Sequence, residues 1–312
     1  MTDKIKRLID SINKVIVGKE DVIKNTVCAL LCEGHILIED VPGVGKTQLV
    51  AALAKSVDGR FNRIQLTPDI MPSDLLGFSI VNPKTYEMEY RDGVAMCNFL
   101  LADEINRASP KVQSSLLEVM EEHQISMDGT THELPRPFMV LATQNPVETY
   151  GTYHLPEAQM DRFFMKISMG YPNFNEEMVI LDRTENYNPI NNITEPAISL
   201  GDIIKLQEDV RKINVCQQVK KYILDIVFAT RNDENITLGI SPRGSISLYK
   251  STKAYSYINN RDYVNPDDVK RMVHCVLSHR IILSPKGKTR YKDTVSYLDE
   301  VLGKVEVPMN KI

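Results

Sequence analysis

The chain has 312 residues, 43% of them hydrophobic and 25% charged, with a formal net charge of −4 and a pI near 5.9. This is the composition of an ordinary globular protein; the length predicts two domains, and the acidic balance argues against a dominant electrostatic footprint for nucleic acid. The best apolar stretch, Val27 to Ile38, is broken by Glu33 and His35 and is too short to span a membrane, and Met1-Thr2-Asp3-Lys4 opens a polar amphipathic helix instead of a signal peptide, so a cytoplasmic location is expected.

Taken in chain order, a helix is predicted over about 3 to 15, and Ile16-Val17-Gly18-Lys19 leads into a second over 20 to 33. The apolar run His35-Ile36-Leu37-Ile38 reads as a strand. It enters Asp40-Val41-Pro42-Gly43-Val44-Gly45-Lys46-Thr47, and Gln48 begins a helical run to about 57. Strand, glycine loop and helix in that order bind nucleotide phosphates: loop N–H groups and the positive helix end converge on anionic oxygens, Lys46 reaches the β- and γ-phosphates, and the Thr47 hydroxyl ligates Mg²⁺. The strict pattern asks for glycine where Asp40 stands.

Phe61 to Leu66 alternates like a strand, and residues 80 to 93 form a predicted small hairpin around Asn82-Pro83-Lys84-Thr85. Asn98 to Ala102 is an apolar strand ending in Asp103-Glu104. Mg²⁺ must be met from the carboxyl edge of a neighbouring strand, so Asp103 is assigned to the metal and Glu104 to orienting and deprotonating the attacking water. A helix opens at Ser109-Pro110 and runs to Glu122, and Asp128-Gly129 marks a hairpin within Gln124 to Leu134.

Phe138 to Thr143 and Phe163 to Ser168 are further predicted strands. The first ends at Thr143-Gln144-Asn145-Pro146, where Asn145 is placed to hold the lytic water with Glu104; Arg162 stands just before the second, suited to a neighbour's site. Alternating strands and helices mean a parallel sheet between helix layers. From about 174 to 281 only helical periodicity is visible, with the boundary in Tyr187 to Ile193, giving domains at 1–190 and 191–312, the second a small helical bundle. Gly239-Ile240-Ser241-Pro242-Arg243 opens a helix there with Arg243 in its first turn.

The five cysteines are odd in number and scattered, which fits reduced thiols; Cys28 and Cys32 share a helix face without completing a zinc site and read as buried apolar residues. His123, His132 and His154 read as plain polar positions.

The chain resembles the MoxR branch of the AAA+ ATPases. The resemblance rests on Ile16-Val17-Gly18-Lys19, Glu39 to Thr47, Asp103-Glu104-Ile105-Asn106-Arg107-Ala108, Ala142-Thr143-Gln144-Asn145-Pro146, Asp161-Arg162-Phe163 and Ser241-Pro242-Arg243, in the family's order over nearly the whole chain. It implies an α/β fold: an αβα phosphate-loop ATPase domain with a parallel sheet, then a smaller all-α lid. It further implies ATP hydrolysed to ADP with Mg²⁺, a homo-oligomer in the form of a hexameric ring, and chaperone-like remodelling of client proteins, among them von Willebrand factor A domain proteins. By resemblance Asn145 is sensor 1, Arg162 the arginine finger and Arg243 sensor 2, acting in cis or in trans. Val17 and Gly18 lie where the family contacts adenine, and Pro42 to Gln48 form the phosphate-binding set. Arg107 touches a subunit interface or serves a local salt bridge. Tyr86, Tyr90 and the Asp128-Gly129 tip are candidates for client contact. No aromatic-apolar-x-glycine pore loop stands in a matching position, which argues against continuous threading. Two alternatives are a nucleic-acid-dependent AAA+ motor and a slow ATP-binding switch or scaffold; intact Glu104, Asn145 and Arg162 argue against the latter.

Overall fold

The structure, a computed structural model, describes residues 3–146, 153–184 and 188–308; Met1, Thr2 and Tyr187, which carry expectations above, lie outside the described residues. Helices α1 (Asp3–Asn13) and α2 (Glu20–Leu31) precede the first strand. The second stops earlier than its periodicity suggests because Glu33 turns left-handed at φ 56° and Gly34 N–H closes back on Ala29 O at 2.8 Å, a C-terminal capping turn.

The phosphate loop lies between β1 (Ile36–Glu39) and α3 (Lys46–Ser56). After β2 (Phe61–Gln65) and the short α4 (Pro72–Leu76) come an antiparallel hairpin, β3 (Gly77–Val81) with β4 (Met88–Asp92), and the acidic strand β5 (Phe99–Asp103). Next are α5 (Pro110–Glu122), a second hairpin, β6 (Gln124–Met127) with β7 (Thr130–Glu133), and then β8 (Met139–Gln144). Both hairpins form where turn chemistry predicts them. Asp128 and Gly129 both take positive φ, as a two-residue hairpin turn requires, while Lys84 N–H bonds Asn82 Oδ1 in the other. Ser109 stands at the N-cap of α5 with Pro110 behind it, but its hydroxyl makes no capping bond.

One turn of helix, α6 (Glu157–Met160), leads to the last sheet strand, β9 (Met165–Ile167). The strands order as β2-β5-β8-β1-β9, all parallel. Ile36, Ile38, Leu101 and Leu141 enter one hydrophobic cluster, whereas Leu37, Leu100, Val140 and Ala142 enter another. The sheet is therefore buried on both faces, which is why its central strands are continuous apolar runs. Being parallel, β1, β5 and β8 also deliver the phosphate loop, the acidic pair and Asn145 to one edge.

Beyond α7 (Phe174–Thr184) the chain is mostly helical: α8 (Leu200–Arg211), α9 (Gln217–Arg231), then β10 (Ile236–Leu238), α10 (Pro242–Ile258), α11 (Pro266–Leu277), β11 (Ile282–Leu283), α12 (Pro285–Arg290) and α13 (Thr294–Lys304). The antiparallel ribbon of β10 and β11 adds to the helices expected here. Its strands are too short to carry an alternation. The lid helix α10 packs on α2 and α11, joining the two parts through a shared core. No described helix is long and apolar enough to cross a membrane.

Candidate functional site

A cavity of about 200 Å³ opens at the carboxyl edge of the sheet, lined by Pro42, Gly43, Gly45, Lys46, Thr47, Gln48, Arg63, Gln65, Asp103, Glu104, Thr143 and Asn145. Most of the residues expected at a phosphate site thus meet in one place. Val44, between them, turns instead toward the core. Gly43 and Gly45 have φ values of 86° and 92°, which L side chains rarely adopt, and a Cβ at Gly43 would meet nothing within 4 Å, leaving the backbone open to a ligand. Lys46 opens α3, so that helix's positive end faces the cavity, and its Nζ donates to Asp40 O at 3.1 Å. The lysine, the open backbone N–H groups and the helix terminus fit a polyphosphate.

Asp40, the departure from the strict loop pattern, has a structural role. Its carboxylate accepts from Ser168 Oγ at 3.0 Å, from Met169 N–H, and from Gly170 N–H at 3.2 Å, tying the start of the loop to the segment after β9. A glycine could not make this tether.

Asp103 accepts from Thr143 Oγ1 at 3.0 Å and from Arg63 Nε at 2.8 Å. Thr143 Oγ1 in turn accepts from Glu104 N–H at 2.9 Å, so this one hydroxyl joins both acidic residues to β8. Glu104 sits at φ 58°, and its carboxylate receives Arg107 Nη1 at 3.1 Å. Arg107 therefore makes a local salt bridge. The hard oxygen donors Thr47 and Asp103 suit Mg²⁺, which takes few protein ligands and shares phosphate oxygens, and the Arg63 guanidinium lies against Asp103 where a cation is wanted. Among the described residues no cluster of three or more His, Cys, Asp or Glu offers a closed metal cage.

Arg162 and Arg243 are elsewhere. They line a second cavity of about 370 Å³ that has no residue in common with the first, and both reach Glu121 near the end of α5: Arg162 Nε lies 3.4 Å from Glu121 Oε2, and Arg243 Nη2 bonds Glu121 Oε1. Neither arginine lines its own chain's phosphate cavity. Val17 is half-buried and Gly18 exposed, also outside that lining. They stand by the segment that Asp40 holds: Lys19 Nζ donates to Tyr171 O at 2.9 Å, and Glu176 covers Gly18 so closely that an added Cβ would clash with it.

Of the client-contact candidates, Tyr86 is 84% exposed at its turn. Tyr90 is engaged within the fold: its ring stacks on His132 with centroids 3.8 Å apart, joining the two hairpins, and its hydroxyl donates to Leu76 O. His132 is thus a packing residue, not a plain polar one. Cys28 and Cys97 are buried, Cys32 and Cys275 half-buried, and Cys216 exposed.

Arg63, Thr143 and Glu121 carry no assignment from the sequence. Arg63 shows only as an alternate position of a strand, and its place beside Asp103 follows from β2 pairing with β5. Thr143 is embedded in the strand-end motif without a spacing that marks its double hydrogen bond.

The ATPase family associated with various cellular activities (AAA) matches residues 35–165, and the AAA lid domain matches 228–300. Chaperone MoxR1 of Mycobacterium tuberculosis is 41% identical over 90% of this chain and 76% of that protein. YeaC of Bacillus subtilis is 50% identical over 98% and 95%, and Protein MoxR of Paracoccus denitrificans 28% over 96% and 94%. A crystal structure from Cytophaga hutchinsonii, 41% identical, superposes with a TM-score of 0.91 and covers 98% of this chain and 96% of its own. Fold, motif order and these relatives agree: the chain belongs to the MoxR family of AAA+ ATPases.

Proposed function

We propose that this chain is a Mg²⁺-dependent ATPase that works as a homo-oligomeric, hexameric ring and couples hydrolysis to remodelling or maturation of client proteins, von Willebrand factor A domain proteins among them. The observation that carries this reading is the division of labour between two cavities. One gathers Lys46, Thr47, Asp103, Glu104 and Asn145, while Arg162 and Arg243 sit together in another. A complete hydrolytic site then needs the arginines of one subunit against the nucleotide of the next.

In this mechanism Lys46 and the loop N–H groups hold the β- and γ-phosphates, and Thr47 and Asp103 hold the metal. Bound Mg²⁺ supplies neutralisation of the charge that develops on those phosphates. Glu104, released from Arg107, takes the proton of the attacking water, which Asn145 helps to orient. Arg162 and Arg243 enter from the neighbouring subunit and stabilise the γ-phosphate as the bond to it breaks. The name of the chaperone relative supports the client reading, and the exposed turn at Tyr86 offers a contact point.

The test mixes two inactive variants. Lys46→Ala keeps its arginines but not its nucleotide; Arg162→Ala keeps nucleotide but not its finger. Steady-state turnover should reappear in the mixture, and a mixture that stays inactive while subunits exchange rejects the shared site. For the client, Glu104→Gln in ATP should retain a von Willebrand factor A domain protein that it releases in ADP; equal retention in both nucleotides rejects the coupling.

A further inference from the structure

Glu121 is one carboxylate holding two arginines that come from different parts of the chain. It stands in the last turn of α5; Arg162 precedes β9 in the sheet domain, and Arg243 occupies the first turn of the lid helix α10. Side chains of residues near the two arginines along the chain are also bonded to each other. Asp161, next to Arg162, accepts from Ser241 Oγ at 2.7 Å, two residues before Arg243. Two guanidiniums this close repel unless an anion lies between them, and Glu121 is that anion.

The geometry of the contact also leaves the arginines usable. Arg162 meets Glu121 through Nε and Arg243 through Nη2, and a guanidinium carries further N–H donors on its other nitrogens. The side chains of Glu121, Arg162 and Arg243 are 40%, 35% and 44% exposed, so the cluster faces outward.

We propose that Glu121 is a positioning residue, which yokes Arg162 and Arg243 into a single two-armed donor for the γ-phosphate bound by a neighbouring subunit. The inference rests on the shared-site reading above and adds to it: the finger and the lid arginine act as one preorganised unit, with Glu121 setting their spacing. Without the yoke each arginine must be ordered separately in the transition state, and misplacement of about an ångström costs up to roughly 100-fold in rate.

The experiment places Glu121→Gln in one partner of the complementing pair at a time, with turnover measured and ring mass followed by light scattering. The reference is Lys46→Ala mixed with Arg162→Ala. In the finger-lending subunit, the double variant Glu121→Gln/Lys46→Ala should complement about 10-fold or more less well than Lys46→Ala alone. In the receiving subunit, Glu121→Gln/Arg162→Ala should complement as well as Arg162→Ala, because its own finger is already gone. A general structural defect would act from either side, so this asymmetry identifies positioning. Absence of complementation in the reference mixture overturns the shared site, and the yoke with it. Complementation that is indifferent to Glu121 in the lending subunit overturns the yoke alone, as does an equal loss from both sides or a loss that tracks failure to assemble. Should the Gln variants fold poorly, Glu121→Ala carries the same comparison.

Discussion

Ser241 Oγ donates to Asp161 Oδ2 at 2.7 Å across the joint between the sheet domain and the lid. The same Asp161 accepts from Arg280 Nε at 2.8 Å through its other oxygen, and Arg280 also donates to Phe163 O and Phe164 O at 2.6 Å and 3.2 Å. Ser241 thereby has two tasks, since its Oγ also accepts from Gly244 N–H at 3.1 Å and caps α10. The lid is latched at the residue that precedes Arg162.

That latch is expected to matter for stability. The Arg280 side chain is 1% exposed, and burial works against its charge while Asp161 supports it. Asp161→Ala leaves a buried guanidinium with only neutral acceptors and should cost about 3 kcal/mol of unfolding free energy. Denaturant titration reads this directly; a loss below about 1 kcal/mol would show that the remaining neutral acceptors, the carbonyls of residue 161, Phe163, Phe164 and Val276 and Ser247 Oγ, suffice.

Asp40→Gly restores the strict loop pattern while deleting the tether to Ser168, Met169 and Gly170. Because the proposed phosphate contacts come from other backbone groups and Lys46, ATP affinity measured by calorimetry should change little. Stability should fall by about 2 kcal/mol, from losing charge-assisted hydrogen bonds at a position only 8% exposed. The reverse pattern, weak ATP binding with unchanged stability, would move Asp40 from the scaffold into the nucleotide site.

Glu104→Gln keeps the shape of the side chain and can still accept a hydrogen bond from Arg107, but it cannot take a proton. Hydrolysis should fall by roughly 100-fold or more with ATP still bound. Turnover equal to the wild type would transfer the base function to another group.

The parts of this site that are legible in the sequence are those whose neighbours along the chain are also their neighbours in space. Lys46 and Thr47 follow a strand and a glycine loop, and Asp103-Glu104 ends an apolar run, so local pattern alone places them at strand ends. Asp128-Gly129 makes its turn for the same reason. Arg63, Thr143 and Glu121 depend on which strand lies beside which, or on where the lid docks, and nothing in their own segments encodes that. Tyr90 shows the same limit, since alternation gives its face of the hairpin but not the His132 ring that covers it. The ribbon of β10 and β11 pairs three residues with two across the whole of α10 and α11, too short for periodicity to register.

A pH dependence follows from the buried His35 and the half-buried His279, which the nucleotide chemistry does not use. His35 accepts from Val140 N–H through Nδ1 at 3.0 Å and lies 2.8 Å from Met120 O through Nε2, so the ring is held neutral with Nε2 as its donor. Burial lowers its pKa from 6.5 to about 4, only partly opposed by the Met120 carbonyl. His279, beside Phe163 O, is likewise pushed well down by burial and by the adjacent Arg280 charge. The sign is set by which state takes up protons. Above about pH 6.5 these rings are neutral folded or unfolded and the native state keeps its full stability. As pH falls from about 6.5 toward 4, only the unfolded chain protonates them, and stability declines. For His35 alone the gap between 6.5 and about 4 corresponds to a loss on the order of 3 kcal/mol once pH 4 is reached. The carboxylates held below their ordinary range, Asp202 and Asp293 among them, titrate mainly at lower pH and do not mimic this window. His35→Gln should be less stable than the wild type at pH 7, having lost the fitted ring, but its stability should fall less steeply between pH 6.5 and 4, with His279 and His123, whose pKa burial also lowers, supplying the residual slope. Urea titrations at half-unit pH steps compare the two slopes; if they coincide, His35 is protonated in the native state or is not buried as described.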